Sequence, residues 1–248
     1  MRGYSILKNR HRPPGRKVSR YLVAGLTLLW CGWLWADGEP QGVVTWEQVI
    51  SQQAGPADIT FAYGPQPDQF GELRLPDQDG PHAVVVIIHG GCWLPEFDLV
   101  HARPLAEAIT SLGFATWTIE YRRPSEGEDT WPATFDDAGA ALDALNDLAG
   151  LHDLDLGRVV LLGHSAGGQL ALWLAARPAF ASDHPLKSES PLTVQRVIAL
   201  APITDMAGYA QGEQGCPLGA RRVLGGPPED HPDRYQAVSP CSNLISDV

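Results

Sequence analysis

Residues 163–168, Gly-His-Ser-Ala-Gly-Gly, have the types and spacing that expose a serine hydroxyl as a nucleophile. In front of them, 158–162 (Arg-Val-Val-Leu-Leu) reads as a buried strand. Behind them, 169–176 reads as a helix ending at Arg177-Pro178. Strand, G-x-S-x-G and helix together make a nucleophile elbow. Ser165 must sit in a strained turn, and Gly163 and Gly167 leave room for strand and helix to approach. The helix N-terminus then points free N–H groups and its dipole at the negative charge of a tetrahedral intermediate. The bland alternative is a glycine-rich turn that merely joins two elements.

A second stretch, His89-Gly90-Gly91-Cys92-Trp93, directly follows an apolar run at 83–88. Glycines after a buried strand let backbone N–H groups reach a substrate carbonyl oxygen. Gly91 and Cys92, with Ala166 from the elbow, are the expected oxyanion-hole donors. His89 is expected to bond its own loop, and Cys92 to line the site.

These elements need a scaffold, and the chain alternates strand and helix throughout. A short surface helix is expected over 45–53, strands at 59–63 and 70–75, and a central strand, apolar on both faces, at 83–88. Pro104 opens a helix closed by Gly113, and a strand follows at 114–119. Thr134 is expected to cap a second helix with Asp136 and Asp137 in its first turn; Ala138, Ala141, Leu142, Leu145 and Leu148 face inward. After the elbow comes a strand at 197–200. The pattern implies an α/β fold with a mostly parallel, doubly covered sheet.

The chain of 248 residues carries a formal net charge of −11. Arg2, Lys8, Arg10, Arg12, Arg16, Lys17 and Arg20 all precede the first acidic residue, Asp37, so all 29 acidic residues fall in the remainder. So acidic a body argues against nucleic acid as a partner. The basic segment and the uncharged stretch 21–36 read as a signal peptide cleaved after Ala36, or else as an N-terminal membrane anchor, which is then the only membrane contact. Either way the body, 37–248, is expected to be exported, periplasmic or secreted if cleaved. Cys31 leaves with the signal, so Cys92, Cys216 and Cys241 remain; the expectation is a Cys216–Cys241 disulfide with Cys92 free, or no disulfide. No Cys or His cluster has the spacing of a metal site.

The sequence resembles the exported bacterial α/β-hydrolases of the esterase, lipase and prolyl-oligopeptidase-like group. The resemblance rests on 89–93, 119–123 (Ile-Glu-Tyr-Arg-Arg), 131–137 (Trp-Pro-Ala-Thr-Phe-Asp-Asp), 163–168, 224–228 and 235–240, and spans roughly 56–240. It implies acyl transfer to water from a small-molecule ester, amide or short peptide, with no cofactor. It also implies two more strands after Pro240, carrying the triad acid and histidine. The expectation is therefore an α/β-hydrolase domain that is incomplete at its C-terminus and misses the last two strands. Asp205, His184 and His231 are the substitutes to consider. The two histidines, flanked by prolines, read as solvated loop residues, and His82, His101 and His152 as surface or loop residues. The side chain of His164 is expected to diverge from Ser165. Two functions stay open: a serine hydrolase working through an acyl-enzyme at Ser165, and a catalytically disabled relative that at most binds acyl ligands.

Overall fold

The computed structural model describes residues 44–125, 129–212 and 215–243. The signal or anchor segment lies outside the described residues. The chain divides into two units, 1–45 and 46–248, and everything below concerns the second.

After the short helix α1 (Trp46–Ile50), β1 (Ile59–Ala62) and β2 (Phe70–Arg74) form an antiparallel hairpin. Then come β3 (His82–Ile88), α2 (Arg103–Ser111), β4 (Ala115–Ile119), α3 (Ala133–Asp143), α4 (Leu145–His152), β5 (Leu154–His164) and α5 (Ala166–Ala176). β6 (Arg196–Leu200), α6 (Met206–Tyr209), α7 (Cys216–Leu224) and α8 (Pro232–Val238) complete the described elements. The sheet order is β1-β2-β4-β3-β5-β6, with β4, β3, β5 and β6 parallel. The α/β fold is the expected one, with a mixed sheet of six described strands in which β1 and β2 run antiparallel to their neighbours.

β3 is central, as its run of apolar residues requires. Val84, Val86 and Ile88 point into the larger core with Trp117, Leu161, Phe135 and Trp173, while Val85 and Ile87 meet Ala102 and Ala106 of the α2 side. Parallel strands buried on both faces leave no polar alternation to read. β6 is one of the two outermost described strands, β1 being the other, and its Ile198 and Leu200 are exposed.

Three local expectations need correction. β5 is longer than the apolar run at 158–162, because its pairing with β3 shifts register between Ala83 and Val84. The extra residues are held by Asp155, which accepts from Gly157 N–H at 2.9 Å and pairs with Arg158. Thr134 is not a cap. Pro132 takes that place, and the Thr134 hydroxyl donates to Arg122 O at 2.7 Å. The helix expected through Leu148 is divided at Ala144, where Asn146 Nδ2 donates to the freed Asp143 carbonyl. Its inward residues are buried as expected.

Asp137 ties the hairpin, the end of β4 and α3 together. It is buried and accepts from Gln69 Nε2, from Arg122 N–H and from the Arg122 guanidinium at 2.6 to 3.0 Å. Removing one partner of a buried pair leaves unpaired donors and typically costs about 3–5 kcal/mol. Arg122 keeps 35% of its side chain exposed, so the cost is discounted, and Asp137→Ala is expected to lower unfolding stability by about 2 kcal/mol. A urea titration followed by tryptophan fluorescence measures it.

Candidate active site

β3 and β5 run parallel as neighbours, with Ile88 opposite Gly163. Their C-terminal ends therefore release the 89–93 loop and Ser165 side by side, at the edge where ligands bind in open α/β sheets.

Ser165 has φ 56° and ψ −117°, a left-handed conformation that a non-glycine residue adopts only under constraint. Its N–H donates to Leu200 O at 2.9 Å and its carbonyl accepts from Gln169 N–H at 3.0 Å, so β6 and α5 hold both sides of the turn. The glycines work as the spacing implied. A Cβ at Gly163 would collide with the carbonyl of Gly167, and one at Gly167 with the carbonyl of Ile88. Strand, helix and neighbouring strand thus touch backbone to backbone. Among the described residues, nothing hydrogen-bonds the Ser165 hydroxyl.

The facing loop is equally constrained. Gly91, Cys92 and Trp93 all have positive φ, at 109°, 59° and 56°. Two non-glycine residues in that region cost roughly 1–2 kcal/mol each. Trp93, fully buried, and the Leu94 N–H bond to Gly91 O hold the turn. Among the described residues the N–H groups of Gly91, Cys92 and Ala166 have no acceptor.

His89 takes the structural part expected of it, and its partner is Glu120. Nδ1 lies 2.8 Å from Gly90 O and Nε2 3.0 Å from Glu120 Oε1. Glu120 is buried, and also accepts from Arg123, from Tyr121 N–H at 2.9 Å and from Leu99 N–H at 3.0 Å. The Tyr121 ring stacks on His89, and its hydroxyl donates to His89 O at 2.8 Å. Burial pushes that phenol well above its ordinary value. For Glu120, burial opposes ionisation, but His89, Arg123 and the Tyr121 N–H outweigh it and hold the carboxyl at about 2. Sequence reasoning placed 119–123 in a matching motif without seeing this role.

Ser165, Gly91 and Cys92 border one cavity of about 550 Å³, with apolar walls from Phe97, Ala102, Leu105, Leu162 and Leu200. His164 is exposed and also lines it. His101, expected as a surface or loop residue, is half-buried in the same wall with its ring edge-on to His89 at 5.6 Å. Burial, then the neighbouring His89, lowers its pKa.

The two histidines that follow Ser165 are half-buried rather than free in solvent. His184 stacks on Phe180 at 3.8 Å, its Nε2 lies 3.1 Å from Ala237 O, and its Nδ1 accepts from Leu186 N–H. His231 Nε2 lies 2.9 Å from Gly225 O. Backbone carbonyls engage both rings, and neither meets Ser165. Asp205 caps α6, accepting from Gly208 N–H at 2.9 Å. His82 starts β3 and His152 ends α4.

The cysteine expectation fails. Cys92 pairs with Cys216 across 124 residues, with Cα atoms 4.6 Å apart, and Cys241 is the exposed free thiol. The loop-to-helix approach that permits this leaves no trace in spacing.

Fold and elbow together define an esterase/lipase-like α/β-hydrolase. The family model described as BD-FAE matches residues 72–247, and the chain belongs to that family. No curated protein matches the chain. Among solved structures it is similar to a bifunctional GH43-CE protein of Bacteroides eggerthii, with a TM-score of 0.62 and 21% identity. That likeness covers 75% of this chain but only 29% of the other. A truncated form of a carbohydrate esterase from gut microbiota gives a TM-score of 0.63 at 20% identity, covering 78% and 76%. A C6-C4 SN3 inhibited esterase B from Lactobacillus rhamnosis gives 0.65 at 21%, covering 79% and 65%. At these identities the likeness is one of fold.

The Glu120 carboxyl lies below its ordinary value of 4.5, so its contribution to stability is full above that pH and is lost as pH falls through about 2. Glu120→Gln is expected to destabilise the protein at pH 7 by roughly 3 kcal/mol, and the gap from wild type should narrow towards pH 2. Urea midpoints across that range read both the size and the sign.

Proposed function

We propose that this chain is a serine hydrolase of carboxylic esters that works through an acyl-enzyme at Ser165. The observation that carries the reading is the strained Ser165 at the rim of an apolar cavity that the Gly91–Cys92 turn also borders. Ser165 Oγ attacks the ester carbonyl carbon, and its proton ends on the alkoxide oxygen as the ester carbon–oxygen bond breaks. The N–H groups of Gly91, Cys92 and Ala166 receive the oxyanion, each such donor being worth roughly a hundred- to a thousandfold in rate. The alcohol leaves with a proton, and water then hydrolyses the acyl-serine. The apolar wall takes the acyl part. The names of the solved neighbours, a carbohydrate esterase and esterase B among them, support esters as the substrate class.

One observation favours a second reading, binding of acyl ligands without turnover. His184 and His231 are both engaged by backbone carbonyls, at Ala237 and Gly225, and neither is placed to accept the Ser165 proton. A fluorophosphonate probe and a short-chain p-nitrophenyl ester separate the possibilities. The hydrolase reading expects one labelled residue, Ser165, and turnover abolished in Ser165→Ala. Equal labelling of that variant would falsify the assignment. Saturable ester binding without turnover would establish the second reading.

We further propose that the body is exported. The Cys92–Cys216 disulfide supports this, since disulfides persist in oxidising compartments. Expressed in a bacterial host, the protein is expected outside the cytoplasm with its N-terminus after Ala36. N-terminal sequencing that still reads Met1 in a membrane fraction replaces cleavage with anchoring.

A further inference from the structure

The loop that presents Gly91 and Cys92 is held from two directions. On one side, Glu120 and Tyr121 fix His89, at the loop's origin. On the other side, helix α7 grips Cys92 itself. Cys216, its first residue, is bonded through sulfur to Cys92. One turn later, Gly219 packs so closely that a Cβ there would collide with the Cys92 carbonyl oxygen. Residues three apart share a helix face, so side chain and carbonyl of Cys92 meet the same face of α7. The helix is a firm support. Ala220, Val223 and Leu224 are buried, and Arg221 Nε donates to Ala210 O at 2.7 Å.

Cys92 has φ 59°, and such a conformation persists only where its surroundings over-determine it. The His89 anchor is three residues away and acts on the far side of Gly90 and Gly91, the most permissive part of the loop. The grip of α7 acts on Cys92 itself, in addition to the Leu94 N–H bond to Gly91 O that closes the turn.

We propose that Cys216 is a positioning residue: its disulfide holds the Cys92 N–H in line with the oxyanion formed at Ser165, and two-electron reduction of that disulfide weakens the site. The inference rests on the Ser165 reading given above. In the reductive step a dithiol supplies two electrons and two protons. The Cys92–Cys216 sulfur–sulfur bond breaks to two thiols, and the dithiol closes to its own disulfide. Since one oxyanion donor is worth about a hundred- to a thousandfold, displacement of the Cys92 N–H is expected to slow reaction at Ser165 by about tenfold or more.

The test uses the full chain carrying Cys31→Ser and Cys241→Ser, which leaves Cys92 and Cys216 as the only cysteines and so removes disulfide exchange with other thiols of the chain. Two quantities are compared for the oxidised protein, the protein reduced with dithiothreitol and then freed of it, and Cys216→Ser. One is the rate of fluorophosphonate labelling at Ser165, located by peptide mass. The other is amide hydrogen exchange in peptides covering 89–99 and 161–174. The expected result is labelling slowed by about tenfold or more in the reduced protein and in Cys216→Ser, with faster exchange confined to 89–99. Reoxidation should restore the reduced protein on both counts, which keeps the test decisive if Cys216→Ser fails to fold. Unchanged labelling after reduction overturns the proposal, whatever the exchange does, and so does faster exchange in both peptides, which signals general loosening. If the oxidised protein is labelled elsewhere than at Ser165, the nucleophile assignment fails and takes the oxyanion role with it. A change in 89–99 exchange alone then identifies a purely structural disulfide.

Discussion

The ionised Glu120 carboxylate is the constraint on which the rest of the site depends. Burying a charge is costly unless hydrogen bonds and opposite charge surround it. Here the surroundings are drawn from four places: the ring of His89 after β3, the N–H of Tyr121 after β4, the guanidinium of Arg123, and the N–H of Leu99 before α2. Each donor reduces the cost of the charge, and each is thereby fixed in place. One side chain thus sets the end of β4, the start of the Gly91–Cys92 loop and the approach to α2. The low pKa of Glu120 and the high pKa of Tyr121 are two consequences of the same crowded, dry environment.

On that base, two backbone-to-backbone approaches bring the chemistry together. Gly163 against Gly167 lets β5 turn sharply into α5, and Gly167 against Ile88 brings the helix N-terminus up to β3. With β3 and β5 as parallel neighbours, the loop after one and the serine after the other share a single edge of the sheet. An apolar cavity opens there because Phe97, Leu105, Leu162 and Leu200 come from separate elements that meet around the serine. Strain at Ser165, Cys92 and Trp93 is concentrated in the two turns that meet at this edge.

Other polar groups of the body are held inward. Asp137 joins the hairpin to α3, and His184 and His231 fasten the segments around α7 and α8 through carbonyls of Ala237 and Gly225. A histidine flanked by proline looks free in a linear sequence. In the folded chain its ring meets a carbonyl at the C-terminal end of a helix, where the helix itself leaves carbonyls unpaired.

The sequence by itself determined what depends on near neighbours. The elbow at 163–168, the glycine loop at 89–93 and the apolar run of β3 are contiguous, and their local geometry demands particular residue types at particular positions. Strand and helix alternation likewise sufficed for the parallel sheet, since a crossover of that kind has few other outcomes. Only the tertiary structure decided which distant groups meet. It paired Cys92 with Cys216 rather than Cys216 with Cys241, gave Glu120 its four donors, and turned Thr134 from an expected cap into a bridge to Arg122. It also engaged His184 and His231 away from Ser165. The physical reason is common to all of these: a side chain's partner is set by packing across the core, and a separation of 124 residues carries no periodicity from which that packing can be read.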